Sequence, residues 1–82
     1  MTRYDELTKA RELLLAAMES AEYELDTAKE TLYRVAGTRA EASAQAERSR
    51  AEAHYEAAEQ ALSNWLESDD GIEWAKLDEV LG

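Results

Sequence analysis

The chain has 82 residues, no cysteine, no proline and a formal charge of −10 at pH 7. This length limits it to one small domain, and the lack of cysteine excludes disulfides, thiolate metal sites and cysteine nucleophiles. The charge disfavours general attraction to nucleic acid or anionic membranes, and no apolar run approaches the ~20 residues that cross a bilayer. Asp5 and Glu6 interrupt the amino end before any apolar core, so we expect no signal peptide and a cytoplasmic location, in the host cytoplasm if a phage encodes the chain.

A heptad repeat begins at Tyr4 and predicts a long first helix over residues 3–36. Nine of its ten a and d positions are apolar, and Arg11 is the exception. The ten positions are Tyr4, Leu7, Arg11, Leu14, Met18, Ala21, Leu25, Ala28, Leu32 and Val35.

Gly37 lies where this repeat stops, and Thr38 and Glu41 follow in the spacing of a capping box. The coincidence predicts a turn at residues 37–38, in preference to one continuous helix. A second helix should then span residues 39–67, with Ala44, Ala51 and Ala58 at successive d positions.

If the two helices fold back at Gly37, large residues of the first meet alanines of the second. Leu32 then lies opposite Ala44, and Leu25 lies opposite Ala51. This large-to-small pairing permits close packing along an alanine-rich seam.

A short third helix is predicted over residues 71–81, with Asp70 and Glu73 as its capping box. About ten residues are too few for a stable isolated helix, so it must pack on the rest of the chain. Docking at the open end of the hairpin would place it near Tyr4 and Trp65 and leave the Gly37 end protruding as an arm. We therefore expect an all-α fold with residues 1–82 as a single helical domain, an antiparallel coiled-coil-like hairpin plus a short C-terminal helix.

The side chains suggest no catalytic, cofactor or metal site. The only histidine, His54, has Arg50 and Ala51 where a helical metal site would place a carboxylate, so we interpret it as a half-exposed packing residue. Arg11 and Arg48 occupy a positions and are expected to set the register, paired with a nearby acid or stacked on an aromatic ring. In the hairpin, Arg11 would fall near Trp65 and Arg48 near Asp26. We expect a non-enzymatic protein without cofactors.

Acidic residues repeat every seven positions along one edge of the first helix and are candidates for binding a basic groove on another protein. The alternative is a face that only keeps the helix in solution. The residues of this edge are Asp5, Glu12, Glu19 and Asp26.

Apolar residues off the seam provide a second candidate surface, for a partner helix or for a second copy of the chain. A monomeric hairpin would leave them in water, which favours a homodimer, with the two hairpins forming a helical bundle. They are Leu13, Leu15, Tyr23, Ala53, Ala57, Ala61, Trp65 and Trp74.

Three functions fit these features. The leading hypothesis is a small acidic regulator or inhibitor, of the kind phages and mobile elements encode, that binds a host enzyme, ATPase or nuclease. A structural or assembly coiled coil is the second. The third is an RNA-binding hairpin dimer, because residues 29–50 carry a charge of +2 between segments of −4 and −8. Nucleic acid is the disfavoured partner, because the flanking acids would repel a long polyanion.

Overall fold

A computed structural model describes residues 2–82 and contains three α-helices: α1 (Arg3–Val35), α2 (Glu41–Glu67) and α3 (Asp69–Leu81). The first two pack closely as an antiparallel hairpin, and α3 contacts both of them. The molecule measures 55 × 18 × 17 Å. The predicted all-α hairpin with a short third helix is confirmed, although Met1 of the predicted domain lies outside the described residues.

The amino end of α1 is fixed by a capping box that the sequence analysis did not predict. The Thr2 hydroxyl accepts from the Asp5 backbone N–H at 3.1 Å, and the Asp5 carboxylate accepts from the Thr2 N–H at 3.3 Å. Two helix N–H groups that lack intrahelical partners are satisfied in this way. Asp5, a member of the predicted acidic edge, therefore also has a local structural role.

The chain reverses through a β-turn over residues 35–38. The Thr38 N–H donates to the Val35 carbonyl at 3.0 Å, and Gly37 has a φ of +83°. Ala36 at φ −57° and ψ 132° completes the geometry of a type II turn, whose third residue must be left-handed. Glycine adopts that conformation without a steric penalty, which explains why the hairpin turns here.

The predicted Thr38–Glu41 capping box is wrong, because α2 begins at Glu41 and has Ala40 as its N-cap. The Thr38 hydroxyl donates to the Val35 carbonyl and accepts from the Ala40 N–H instead. The Thr38 carbonyl also accepts from the Glu41 N–H at 3.2 Å. A second turn therefore uses the residues that the prediction had placed in the helix.

The predicted Asp70–Glu73 capping box is wrong as well. Ser68 is the N-cap of α3 and accepts from the Gly71 N–H at 3.3 Å. Both predicted capping carboxylates bind Arg3 of α1, Glu73 at 2.6 Å and Asp70 at 2.9 Å. A contact between residues distant in sequence has displaced the local cap.

The core is thin and consists mainly of alanine. Ala44 and Ala51 of α2 are 3% and 1% exposed, while the leucines of α1 predicted to lie over them are only half-buried. Leu7 at the open end is the one large buried apolar side chain among residues 2–82. The buried apolar side chains are Leu7, Ala21, Ala28, Ala44 and Ala51.

The third helix docks at the open end of the hairpin, as expected. The Tyr4 hydroxyl donates to Asp78 at 2.7 Å, and the Trp74 indole donates to the Thr8 hydroxyl at 3.0 Å. The rings of Trp65 and Trp74 lie 6.3 Å apart, a distance typical of interacting aromatic pairs. The Gly37 end, which α3 does not cover, forms the predicted two-helix arm.

Candidate protein-binding faces

The acidic edge lies on the surface of α1. Glu12, Glu19 and Asp26 are all exposed, and none of them forms an ion pair within residues 2–82. Asp5 is exposed too, but it belongs to the amino-terminal cap. Three free carboxylates at seven-residue spacing therefore remain available on this helix.

The fold widens this edge into a face that spans both helices. The pKa of Tyr55 on α2 is raised first by burial, then by the charges of Glu59 and Glu22, so carboxylates from the two helices converge on one phenol. Residues three, four and seven apart share one side of a helix, which brings their neighbours to the same side. We define the acidic face as Glu12, Glu19, Glu22 and Asp26 of α1 with Glu52, Glu56 and Glu59 of α2.

The other side of the seam carries little charge. Ser20 and Thr27 precede the buried alanines Ala21 and Ala28, whereas Glu22 follows Ala21, so the two sets project to opposite sides. We define the neutral face as Leu13, Ala17, Ser20, Glu24 and Thr27 of α1 with Arg50, His54, Ala57 and Ala61 of α2.

An open groove of about 590 Å³ lies in the neutral face. Ala28 and Ala51 lie at its base, where the small seam residues leave space between the helices. Across the groove, the His54 ring lies 3.3 Å from the Glu24 carboxylate. The numbers of these two facing residues add up to 78, whereas those of the predicted pair Leu32 and Ala44 add up to 76. The observed register of the hairpin is therefore within two residues of the predicted one. The His54 side chain is 64% exposed and pairs with Glu24. It is therefore more exposed than the half-exposed packing residue that was predicted.

The predicted apolar surface divides into exposed and inward-facing residues. Leu13 and Tyr23 are 65% and 75% exposed at the edge of the neutral face, and Leu15 is half-buried. The three α2 alanines of the predicted surface are also exposed: Ala53, Ala57 and Ala61.

Trp65 and Trp74 contact each other within the chain and are half-buried. The Arg11 guanidinium lies 4.7 Å from the centre of the Trp74 ring, which corrects the predicted stacking on Trp65. The correction follows from the docking of α3, which places the second tryptophan beside α1. Whether either tryptophan also binds a partner stays a prediction.

We define the basic arm as residues 29–50 at the Gly37 end, and nearby acids partly neutralise it. Its five cations are Lys29, Arg34, Arg39, Arg48 and Arg50. Arg34 pairs with Glu30 at 3.0 Å, and Arg48 pairs with Glu52 at 3.0 Å. The carboxylate paired with Arg48 is thus Glu52, one turn along the same helix, and not Asp26. Two of the five arm cations are therefore already paired with a carboxylate.

Within the described part of the chain, no three His, Cys, Asp or Glu side chains are grouped in a way that could hold a metal ion. No helix in residues 2–82 combines the length and the apolar character needed to cross a membrane.

Scans against models of protein families, curated proteins and solved structures each found no match to the chain. By its fold, the chain is a three-helix protein built on an antiparallel hairpin, with an acidic face on one side of the hairpin and a neutral face on the other.

Proposed function

We propose that the chain is a small non-catalytic regulator that binds another protein through its acidic face. The observation that carries the proposal is the row of exposed carboxylates Glu12, Glu19 and Asp26 on α1, none of which forms an ion pair within residues 2–82. The raised pKa of Tyr55, caused first by burial and then by the charges of Glu59 and Glu22, supports the placement of α2 acids on the same side. Concentrated charge of one sign steers association with a surface of the opposite sign. The partner is therefore a protein with a basic groove or patch.

The lack of ion pairs at three carboxylates of this face supports the proposed role. A face that only keeps a protein in solution usually mixes both signs of charge. Within residues 2–82, Glu12, Glu19 and Asp26 have no cation paired with them, whereas Glu30 is paired with Arg34, and Glu52 of the acidic face is paired with Arg48. The carboxylates of Glu12, Glu19 and Asp26 can therefore pair with a basic partner without first breaking an ion pair within residues 2–82. Inhibition of a host enzyme, ATPase or nuclease by a phage or mobile-element protein is the leading biological setting.

Two alternatives remain as hypotheses. An RNA-binding role would use the arm, but its pairs with Glu30 and Glu52 reduce the charge that could contact phosphate. A purely structural coiled coil would need only the seam and would leave the acidic face without a partner.

The test is a triple charge reversal, Glu12→Lys with Glu19→Lys and Asp26→Lys, compared with a matched control. The control reverses three exposed acids outside the face, Glu30, Glu67 and Glu79, so both variants raise the formal charge from −10 to −4 at two charges per exchange. Circular dichroism establishes that both variants stay helical.

Tagged chains expressed in the source organism are used to capture the partner, and the partner purified from the wild-type capture is titrated with each variant. We expect the face variant to bind at least about 100-fold more weakly, because like charges across an interface cost several kcal/mol. The control should bind within about tenfold of the wild type. Equal weakening in both variants would reject the acidic face as the docking site, and a capture that nuclease treatment abolishes would favour the RNA alternative.

A further inference from the structure

The neutral face exposes large apolar side chains next to an open groove. Leu13 and Tyr23 project from the α1 side of this face, and the α2 side carries Ala57 and Ala61 in exposed positions. Two bulky apolar side chains therefore project from α1, and two exposed alanines project from α2. A surface with both halves of a large-to-small match is complementary to itself.

We propose that the neutral face is a homodimer interface, in which the α1 of each copy packs on the α2 of the other about a two-fold axis parallel to the long axis of the hairpin. Rotation about this axis leaves the position of each residue along the long axis, called its height below, unchanged. Glu24 and His54 share one height, so residue n of α1 lies opposite residue 78 − n of the second copy, to within one turn.

This register brings each bulky side chain within about one helical turn of an exposed alanine. Tyr23 lies at the height of the second copy's Tyr55, two residues from Ala57 of the neutral face. Leu13 lies at the height of its Trp65, one turn from Ala61. The contact occurs twice by symmetry, and the Tyr23 rings close the two grooves of about 590 Å³.

The charges of the groove also match across this axis. Glu24 and Glu47 line the groove together with Arg50 and His54. The two-fold axis brings Glu24 of each copy opposite His54 of the other and places Arg50 near Thr27, within reach of Glu24. Each Glu24 therefore lies opposite bases of the other copy.

The position of the acidic face selects this side of the hairpin for self-association. Packing through the acidic face would oppose seven carboxylates of one copy with seven of the other, and like charges across an interface cost several kcal/mol. Packing through the neutral face directs both acidic faces outward. A standard interface buries about 800 Å² per partner, about one-seventh of the 5989 Å² of accessible surface of one chain. The dimer thus leaves the proposed docking face free, and it does not depend on that proposal.

The first test is the mass of the full-length chain by sedimentation equilibrium between about 1 and 100 µM. We expect the wild type to be dimeric at the upper end, and Ala57→Glu to raise the dissociation constant more than about tenfold, since it places a carboxylate under Tyr23. Ala46→Glu is the matched control, an exposed alanine on the same helix outside the groove, and should dimerise as the wild type does. A wild type that stays monomeric at 100 µM, or two variants that dissociate equally, would overturn the proposal.

The second test fixes the arrangement of the dimer by disulfide trapping, which is clean because the chain has no cysteine. A Ser20→Cys chain is mixed with an equal amount of an Ala57→Cys chain under mild oxidation. Because disulfides need Cα atoms about 4.4–6.8 Å apart, we expect mixed dimers to exceed either homodimer several-fold. Preferential Ser20→Cys homodimers would show α1 packed on α1 and would contradict the proposed axis.

Discussion

The junction between α2 and α3 depends on the absence of one side chain at Gly71. This glycine is buried in the first turn of α3, and a Cβ built on it would lie 2.1 Å from the Trp65 carbonyl oxygen and 2.6 Å from the Leu66 Cα. Both atoms belong to the backbone of α2, so no side chain can move to make room. We predict that Gly71→Ala forces α3 away from the hairpin.

The contacts that α3 would lose set the size of the effect. The Trp65–Trp74 pair contributes about 0.5–1.5 kcal/mol, the Trp74–Thr8 hydrogen bond about the same, and the Arg11–Trp74 stack about 0.5–1 kcal/mol. Together they imply a loss of about 1.5–4 kcal/mol in the free energy of unfolding. The assay is urea unfolding at fixed chain concentration, followed by circular dichroism and by tryptophan emission, which should shift to longer wavelength as the indoles enter water.

Gly37→Ala provides the comparison, because it carries a different cost. A Cβ there meets no atom within 4 Å, and only the φ of +83° is unfavourable, at about 1–2 kcal/mol. This variant should lose stability without changing the tryptophan emission of the native state. A Gly71→Ala chain with wild-type stability and emission would refute the steric argument.

Two further predictions concern the seam and the docking of α3. Ala51→Leu should destabilise the hairpin by about 1–3 kcal/mol in urea unfolding, because Ala51 is 1% exposed and larger side chains overfill a packed site; Ala46→Leu on the exposed surface should change stability by less than about 0.5 kcal/mol. The hydrogen bond to Asp78, and then burial, raise the pKa of Tyr4 above 10, so this group stabilises the fold fully below pH 10 and loses its contribution as the pH rises through the higher native value. Unfolding of the wild type and Tyr4→Phe between pH 8 and 11 should therefore converge at the alkaline end, and a constant difference between them would contradict the assignment.

The hairpin could be predicted because several local signals agree. The heptad repeat of α1 ends where Gly37 supplies a left-handed residue, and alanines of α2 lie where leucines of α1 need space. Each signal depends on residues close in sequence or on one periodic pattern. The helix bounds were therefore correct to within two residues.

The caps and the polar partners could not be predicted in the same way. Asp70 and Glu73 fit a capping box by spacing, but Arg3, about 70 positions away, binds both carboxylates once α3 docks. Gly71 was expected at the start of the third helix, but its close backbone packing on α2 could not be read from the sequence. The union of the acidic residues of α1 and α2 likewise depends on the hairpin register, which the structure sets two residues from the predicted one.

The most direct test of the account is the distance between spin labels at Glu22→Cys and Glu59→Cys. These exposed positions lie on different helices, and both act on Tyr55 in the fold described here. Diluting the labelled chain with unlabelled chain restricts the signal to distances within one molecule. The hairpin predicts a separation below about 25 Å, whereas a continuous helix of 37 residues at 1.5 Å per residue would give about 55 Å and contradict the account.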